Sequence, residues 1–184
     1  RKFHDLQRGA GTEVDKFTDV TTLGFSGDAR DFLFGGGINV YNVAQTIGRL
    51  DFGTAGDRAA DIAARNTSGN YSKTNLTYSR LQNISEGTAF YFSHTHQFGA
   101  TKNLDASEKL SLGGPNAVRA YPQGEGAGDR GFVTTFEMRF RVPLGDSWPG
   151  NMVFTAFHDV GYSTLNRNPL VTDTIHTQIG RAHV

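Results

Sequence analysis

From residue 132 to 142 the chain alternates without a break. Phe132, Thr134, Phe136, Met138, Phe140 and Val142 fall on one side, and Thr135, Glu137, Arg139 and Arg141 on the other. Successive side chains of a strand point to opposite faces, so this segment is a strand with one greasy and one charged face. The pattern recurs at 152–162, where Met152, Phe154, Ala156, Val160 and Tyr162 oppose Thr155, Asp159 and Gly161. At 90–98, Phe90, Phe92 and Phe98 oppose Ser93, Thr95 and Gln97. Leu76 and Tyr78 oppose Asn75, Thr77 and Ser79, and weaker candidates lie at 21–28, 38–50 and 2–6. These seven segments, with no convincing long helix among them, predict an all-β chain.

Two architectures give such alternation. A soluble sandwich packs its greasy faces together, whereas an outer-membrane barrel turns them to lipid and lines its lumen with the polar ones. A mean hydropathy of −0.41 rules out neither, because a membrane barrel is apolar only at every second residue. The links between the candidate strands decide it. In order they run long (8–17), short (29–37), long (51–69), short (82–87), very long (100–130), short (143–151) and long (163–173). An up-and-down barrel alternates short periplasmic turns with longer extracellular loops, and a Greek-key sandwich has no reason to. The fold predicted is a partial antiparallel transmembrane β-barrel, an open sheet of about seven strands, with Trp148 in the aromatic girdle at the inner interface.

Several chemistries drop out. Eighteen basic and eighteen acidic residues cancel, leaving no basic field for nucleic acid. With no cysteine there is no thiolate metal site and no thiol nucleophile. Gly124-Glu125-Gly126-Ala127-Gly128 has the look of a phosphate cradle but lacks a following helix and a Gly-Lys-Ser/Thr, so no nucleotide is expected. His94 and His96 share the greasy face without an evident third ligand, so no metal or other cofactor is expected. No Gly-x-Ser-x-Gly elbow occurs, and Glu137, Arg139 and Arg141 read as wall charges pairing across strands; the chain is not expected to be an enzyme. The first residues lack the apolar core of a signal peptide, and residues 178–184 resemble translated sequencing adapter; the barrel unit is therefore taken as 1–177 of a longer protein.

The link at 100–130 is too long to be mere connection. It contains Gly113-Gly114-Pro115, then Val118-Arg119-Ala120-Tyr121-Pro122, then Gly124-Glu125 and Gly128-Asp129. This block resembles the sixth extracellular loop of two-partner-secretion transporters, the haemolysin activation/secretion family within the barrel-assembly-type superfamily. Its hallmark is Val-Arg-Gly-aromatic, with alanine here in the glycine's place. Phe157, Asp159 and Gly161 match the Phe-x-Asp-x-Gly motif of the second strand after that loop.

The resemblance implies roughly seven of about sixteen strands, lying in the cell outer membrane against lipid, with POTRA domains elsewhere in the gene product. It implies secretion of a partner exoprotein of the haemolysin or adhesin type, and a loop folded back into the barrel. An arginine taken out of water needs a partner, and Asp159 has lumen parity; Arg119 on Asp159 is the expected anchor. Gly161 is expected to leave room for loop backbone, and Tyr121 to pack on the wall. Asn75, Thr77, Ser79, Glu137, Arg139 and Arg141 are expected to line the lumen. A related barrel-assembly protein and a soluble β-sandwich binding module stand as alternatives.

Overall fold

The computed structural model describes residues 2–9, 12–145, 150–168 and 180–183. One antiparallel sheet runs through the chain in sequence order. Its strands are β1 (Lys2–Gly9), β2 (Thr12–Asp31), β3 (Gly37–Phe52), β4 (Gly69–Ser85), β5 (Thr88–Phe98), β6 (Arg130–Pro143), β7 (Asn151–Thr164) and β8 (Gly180–His183). Each pairs only with its neighbours, so β1 and β8 are free edges and the sheet is open. No second sheet is stacked on it among the described residues, which removes the sandwich.

The register carries the two faces from strand to strand. Asp159 stands opposite Thr135, Thr135 opposite Ser93, and Ser93 opposite Ser79, so these side chains share one face. Phe136, Phe92, Arg80 and Asn39 make a row on the other. The outward face keeps its apolar side chains bare: Leu23 is 70% exposed, Phe25 68% and Phe154 54%. Exposed apolar area on this scale is the mark of an interaction or membrane surface. Buried apolar residues gather elsewhere, in two small clusters where the 100–130 link meets the polar face: Leu112, Val118 and Val133, and Tyr71, Ala100 and Leu104.

Four features depart from the sequence expectation. The link expected at 8–17 is instead a tight connection, with Gly9 paired to Thr12 and β2 running for 20 residues. The ladder between β2 and β3 ends at Lys16 opposite Phe52, with one more backbone bond from Gly53 N to Asp15 O at 2.9 Å, so residues 12–14 run past the end of β3. The β1–β2 hairpin thus overshoots its neighbour, and a strand extending past the apolar slab has no need of a greasy face. In the sequence, charges at positions 13, 15, 16 and 19 break the alternation and hide this part of the strand. β4 likewise extends well beyond its apolar centre.

The link between β3 and β4 holds a ten-residue helix, α1 (Ala55–Ala64), capped by Thr54, whose hydroxyl accepts from Asp57 N at 3.1 Å. Asp61 closes the far end by accepting from Thr67 N at 2.9 Å and Ser68 N at 2.8 Å. Gly180–His183, set aside as adapter, pair with β7. Trp148 and residues 169–179 lie outside the described residues.

Candidate functional site

The segment between β5 and β6 leaves the wall at Gly99, turns through a short 3-10 helix at Ala106–Glu108, and doubles back on itself. Leu110 and Gly128 exchange both backbone hydrogen bonds at 2.9 Å. Beyond them Leu112 N and Gly113 N donate to Glu125 O, and Gly124 N to Ser111 Oγ. Gly113 is packed hard here, since a Cβ would sit 2.0 Å from Pro122 O. Gly114 N donates to Tyr121 O, while Pro115 is exposed at the tip.

Val118-Arg119-Ala120-Tyr121 form a four-residue turn closed by Tyr121 N on Val118 O at 3.1 Å. Glycine is needed at the third position of such a turn only if φ there is positive. Among the described residues the non-glycine residues with positive φ are Phe34 and Asn66, and Ala120 is exposed, so neither backbone nor sterics demand glycine at 120.

This turn delivers Arg119 to the polar face of β6 and β7. Its Nε donates to Asp159 Oδ2 at 2.9 Å and a terminal nitrogen to Oδ1 at 3.0 Å, the two-pronged geometry of a guanidinium on a carboxylate. The backbone N of Arg119 adds a third bond to Oδ2 at 3.1 Å, and Thr135 Oγ1 donates to Oδ1 at 2.9 Å. The other terminal nitrogen reaches Glu137 Oε2 at 3.0 Å, whose Oε1 accepts from Arg139 Nε at 2.6 Å. Phe157 lies beneath the cation, 3.5 Å from ring centre to guanidinium carbon. Asp159 is fully buried, and its hydrogen bond to Arg119, opposed by burial and seconded by Glu137, holds the guanidinium above its ordinary pKa. A pair so enclosed costs ~3–5 kcal/mol when one partner is removed, because the other is left without its charge; the partly exposed arginine puts this site at the lower end.

Gly161 makes room as expected, but for side chains. A Cβ there would stand 2.8 Å from Val118 Cγ2 and 3.3 Å from Leu112 Cδ2, so loop side chains rather than loop backbone fill the gap. Tyr121 packs at the edge of the same cluster, which Leu112 and Val118 of the loop form with Val133 of the wall.

A second set of contacts holds the base of the loop. Asp129, fully buried, accepts from Leu104 N at 3.1 Å, from Arg167 N at 2.7 Å and from the Lys109 ammonium. Lys109 also donates to Leu165 O and Asn166 Oδ1. Gln97 on β5 donates to Glu108 O and Asp129 O, and accepts from Asn75 and Lys73. Lys73 pairs with Glu108 at 2.9 Å, and Lys16 on β2 with Asp105 at 2.8 Å. Burial works against the Asp105 carboxylate, yet Lys16 and the Ser107 amide outweigh it and hold its pKa below the usual range.

The loop is therefore tied to β2, β4, β5, β6 and β7 across one face. Asn75, Thr77, Ser79, Glu137, Arg139 and Arg141 all lie on that face. Glu137 and Arg139 join the Arg119 cluster and Asn75 joins Gln97, whereas Arg141 stands away from the loop, near Gly87 and Val153. Lys16, Lys73, Gln97, Asp105, Glu108 and Lys109 were missed in the sequence reading, since nothing local marks a residue whose partner is tens of residues away. On the outward face His94 Nδ1 meets Thr134 Oγ1 at 2.8 Å, and no metal-holding group of three side chains occurs among the described residues.

A family model described as haemolysin secretion/activation protein ShlB/FhaC/HecB matches residues 13–174, a span that contains both clamps. No curated protein and no solved structure matches.

Proposed function

The chain belongs to the haemolysin secretion/activation protein family, ShlB/FhaC/HecB, and from that premise we propose that it is wall and internal loop of a larger outer-membrane barrel that secretes a partner exoprotein. The family supports two-partner secretion through the outer membrane; the exoprotein, of haemolysin or adhesin type, is the finer part of the reading. The observation that carries it is the loop lying on the polar face with Arg119 forked onto Asp159. A loop so placed narrows whatever passage the polar face encloses, and the polar side chains offer a moving, unfolded chain exchangeable hydrogen bonds rather than a binding pocket.

The segment carries no catalytic step in this reading. Its work is to hold a path open or closed, with net movement supplied by folding of the cargo outside. Lipid is the partner of the outward wall, and neither nucleic acid nor nucleotide has a role. The test is a charge swap in the intact transporter, with secretion of its partner as readout. Arg119→Asp and Asp159→Arg each lower export severalfold, and the double swap restores part of it. Single variants that secrete like the wild type would refute the anchor.

A further inference from the structure

The connection between β2 and β3 presents Phe32, Leu33 and Phe34 at 99%, 62% and 88% exposure, the barest apolar run in the described residues. It is not slack. Leu33 N donates to Asp31 Oδ1 at 3.0 Å, and the Gln82 amide donates to Leu33 O at 2.9 Å, Phe34 O at 3.1 Å and Gly36 O at 3.1 Å. Phe34 is held at φ +51°, a conformation that a bulky residue adopts only when its surroundings impose it.

The register tells on which side this frame stands. Asp31 pairs with Gly37, Gly37 with Gln82, and Gln82 with Phe90; Arg80 pairs with Phe92 and Asn39. Asp31, Gln82, Arg80 and Asn39 therefore share the apolar, outward face. The turn is gripped from outside the barrel, away from the lumen. Arg80 bridges Asp31 at 2.6 and 2.9 Å and donates to Asn39 Oδ1, which also accepts from Tyr78 at 2.8 Å. An ion pair on a lipid-facing wall is tolerated near the headgroups and costly at the midplane. Here it sits at the end of the β2–β3 hairpin, between the apolar wall at Phe25 and Tyr41 and the bare turn.

We propose that Phe32-Leu33-Phe34 is a membrane foot: a rigid turn, splayed outward by the Asp31–Arg80–Gln82 frame, that rests in the headgroup–acyl boundary of the periplasmic leaflet and takes lipid as its partner. Continuity with the outward wall selects lipid over a protein, and the frame satisfies the backbone carbonyls that would otherwise keep the turn in water. The inference rests on the outer-membrane reading above.

The experiment uses the intact transporter with its tryptophans, Trp148 included, replaced by phenylalanine. Phe34→Trp and, separately, Phe136→Trp on the outward wall are reconstituted in phosphatidylethanolamine/phosphatidylglycerol vesicles containing lipids brominated high or low on the acyl chain. Phe34→Trp emits to the blue of free indole and loses about half its intensity to the high bromines, with little loss to acrylamide. Adding Gln82→Ala reverses both effects and leaves the Phe136→Trp signal unchanged. Water-like emission from Phe34→Trp, or shielding from acrylamide without bromine quenching, overturns the foot while quenching of Phe136→Trp preserves the barrel. Failure of Phe136→Trp to be quenched removes the barrel reading itself.

Discussion

The two ends of the inward loop are held by different physics. At its tip one guanidinium meets carboxylates presented by strands, and its side chain stays 28% exposed. At its base Asp129 and Gln97 are 0% and 1% exposed, and several of their partners are backbone groups. A charge pair at an accessible tip can be exchanged for another ion or for water, whereas buried backbone donors have nowhere else to turn. The tip, whose cation is partly in water, is thus the easier end to undo and the Asp129 base the harder.

The sharpest way to break that contrast is to remove the base. Asp129→Ala strands the Lys109 ammonium and the Leu104 and Arg167 amides. It should cost ~3–5 kcal/mol, read as a lower temperature for loss of the compact form in gel-mobility assays. Arg119→Ala strands the buried Asp159 carboxylate and should cost about 3 kcal/mol, the lower end of the same range, lowering that temperature less than Asp129→Ala does while exposing the tip to external protease. Equal effects of the two would erase the distinction.

Filling the seat of the tip comes next. Gly161→Ala places a methyl against Val118 and should cost about 1–3 kcal/mol of loop docking, relieved by Val118→Ala in the same chain. No relief would mean that the two sites do not touch.

Acid tests the base from another side. Asp105 has a depressed pKa in the folded loop, so its tie to Lys16 contributes fully above the ordinary carboxylate range near ~4. The contribution fades as pH falls through the lower folded value. Protease access near residue 105 should rise over that acidic window by an amount worth about 1 kcal/mol, and Lys16→Met, which removes the largest cause of the depression, should weaken that rise. Smallest of all, Ala120→Gly should restore the family hallmark and yet lose roughly 0.5 kcal/mol, since glycine brings only added chain entropy where φ is not positive. A clear gain in docking would show that the turn needs the glycine.

Much of this was legible before any coordinates. Alternation located β3, β5, β6 and β7 and gave their parity, because a membrane imposes a greasy face wherever a strand crosses it. Residues 12–20 escaped that reading because their charged residues fall at both odd and even positions, so neither face reads as greasy. Arg119 and Asp159 could be paired from motif and parity together. The base clamp could not: Asp129 lies within the motif, but Lys16 meets Asp105, Lys73 meets Glu108 and Gln97 meets Asp129 only through the way five strands lie under one loop. Helix α1 went unread because its ten residues bury no side chain and include one large apolar residue, Ile62, too few to stand out as a core-facing stripe.

The most direct measurement asks whether the loop lies on the polar face of the barrel in the membrane. The chain has no cysteine, so Val118→Cys and Gly161→Cys form a unique pair at a contact where a Cβ on residue 161 meets residue 118 at 2.8 Å. In the resting transporter the two should oxidise to a disulfide in nearly every molecule, block secretion, and restore it on reduction. Free thiols that react with a membrane-impermeant maleimide from outside, with no cross-link, would contradict an inward loop.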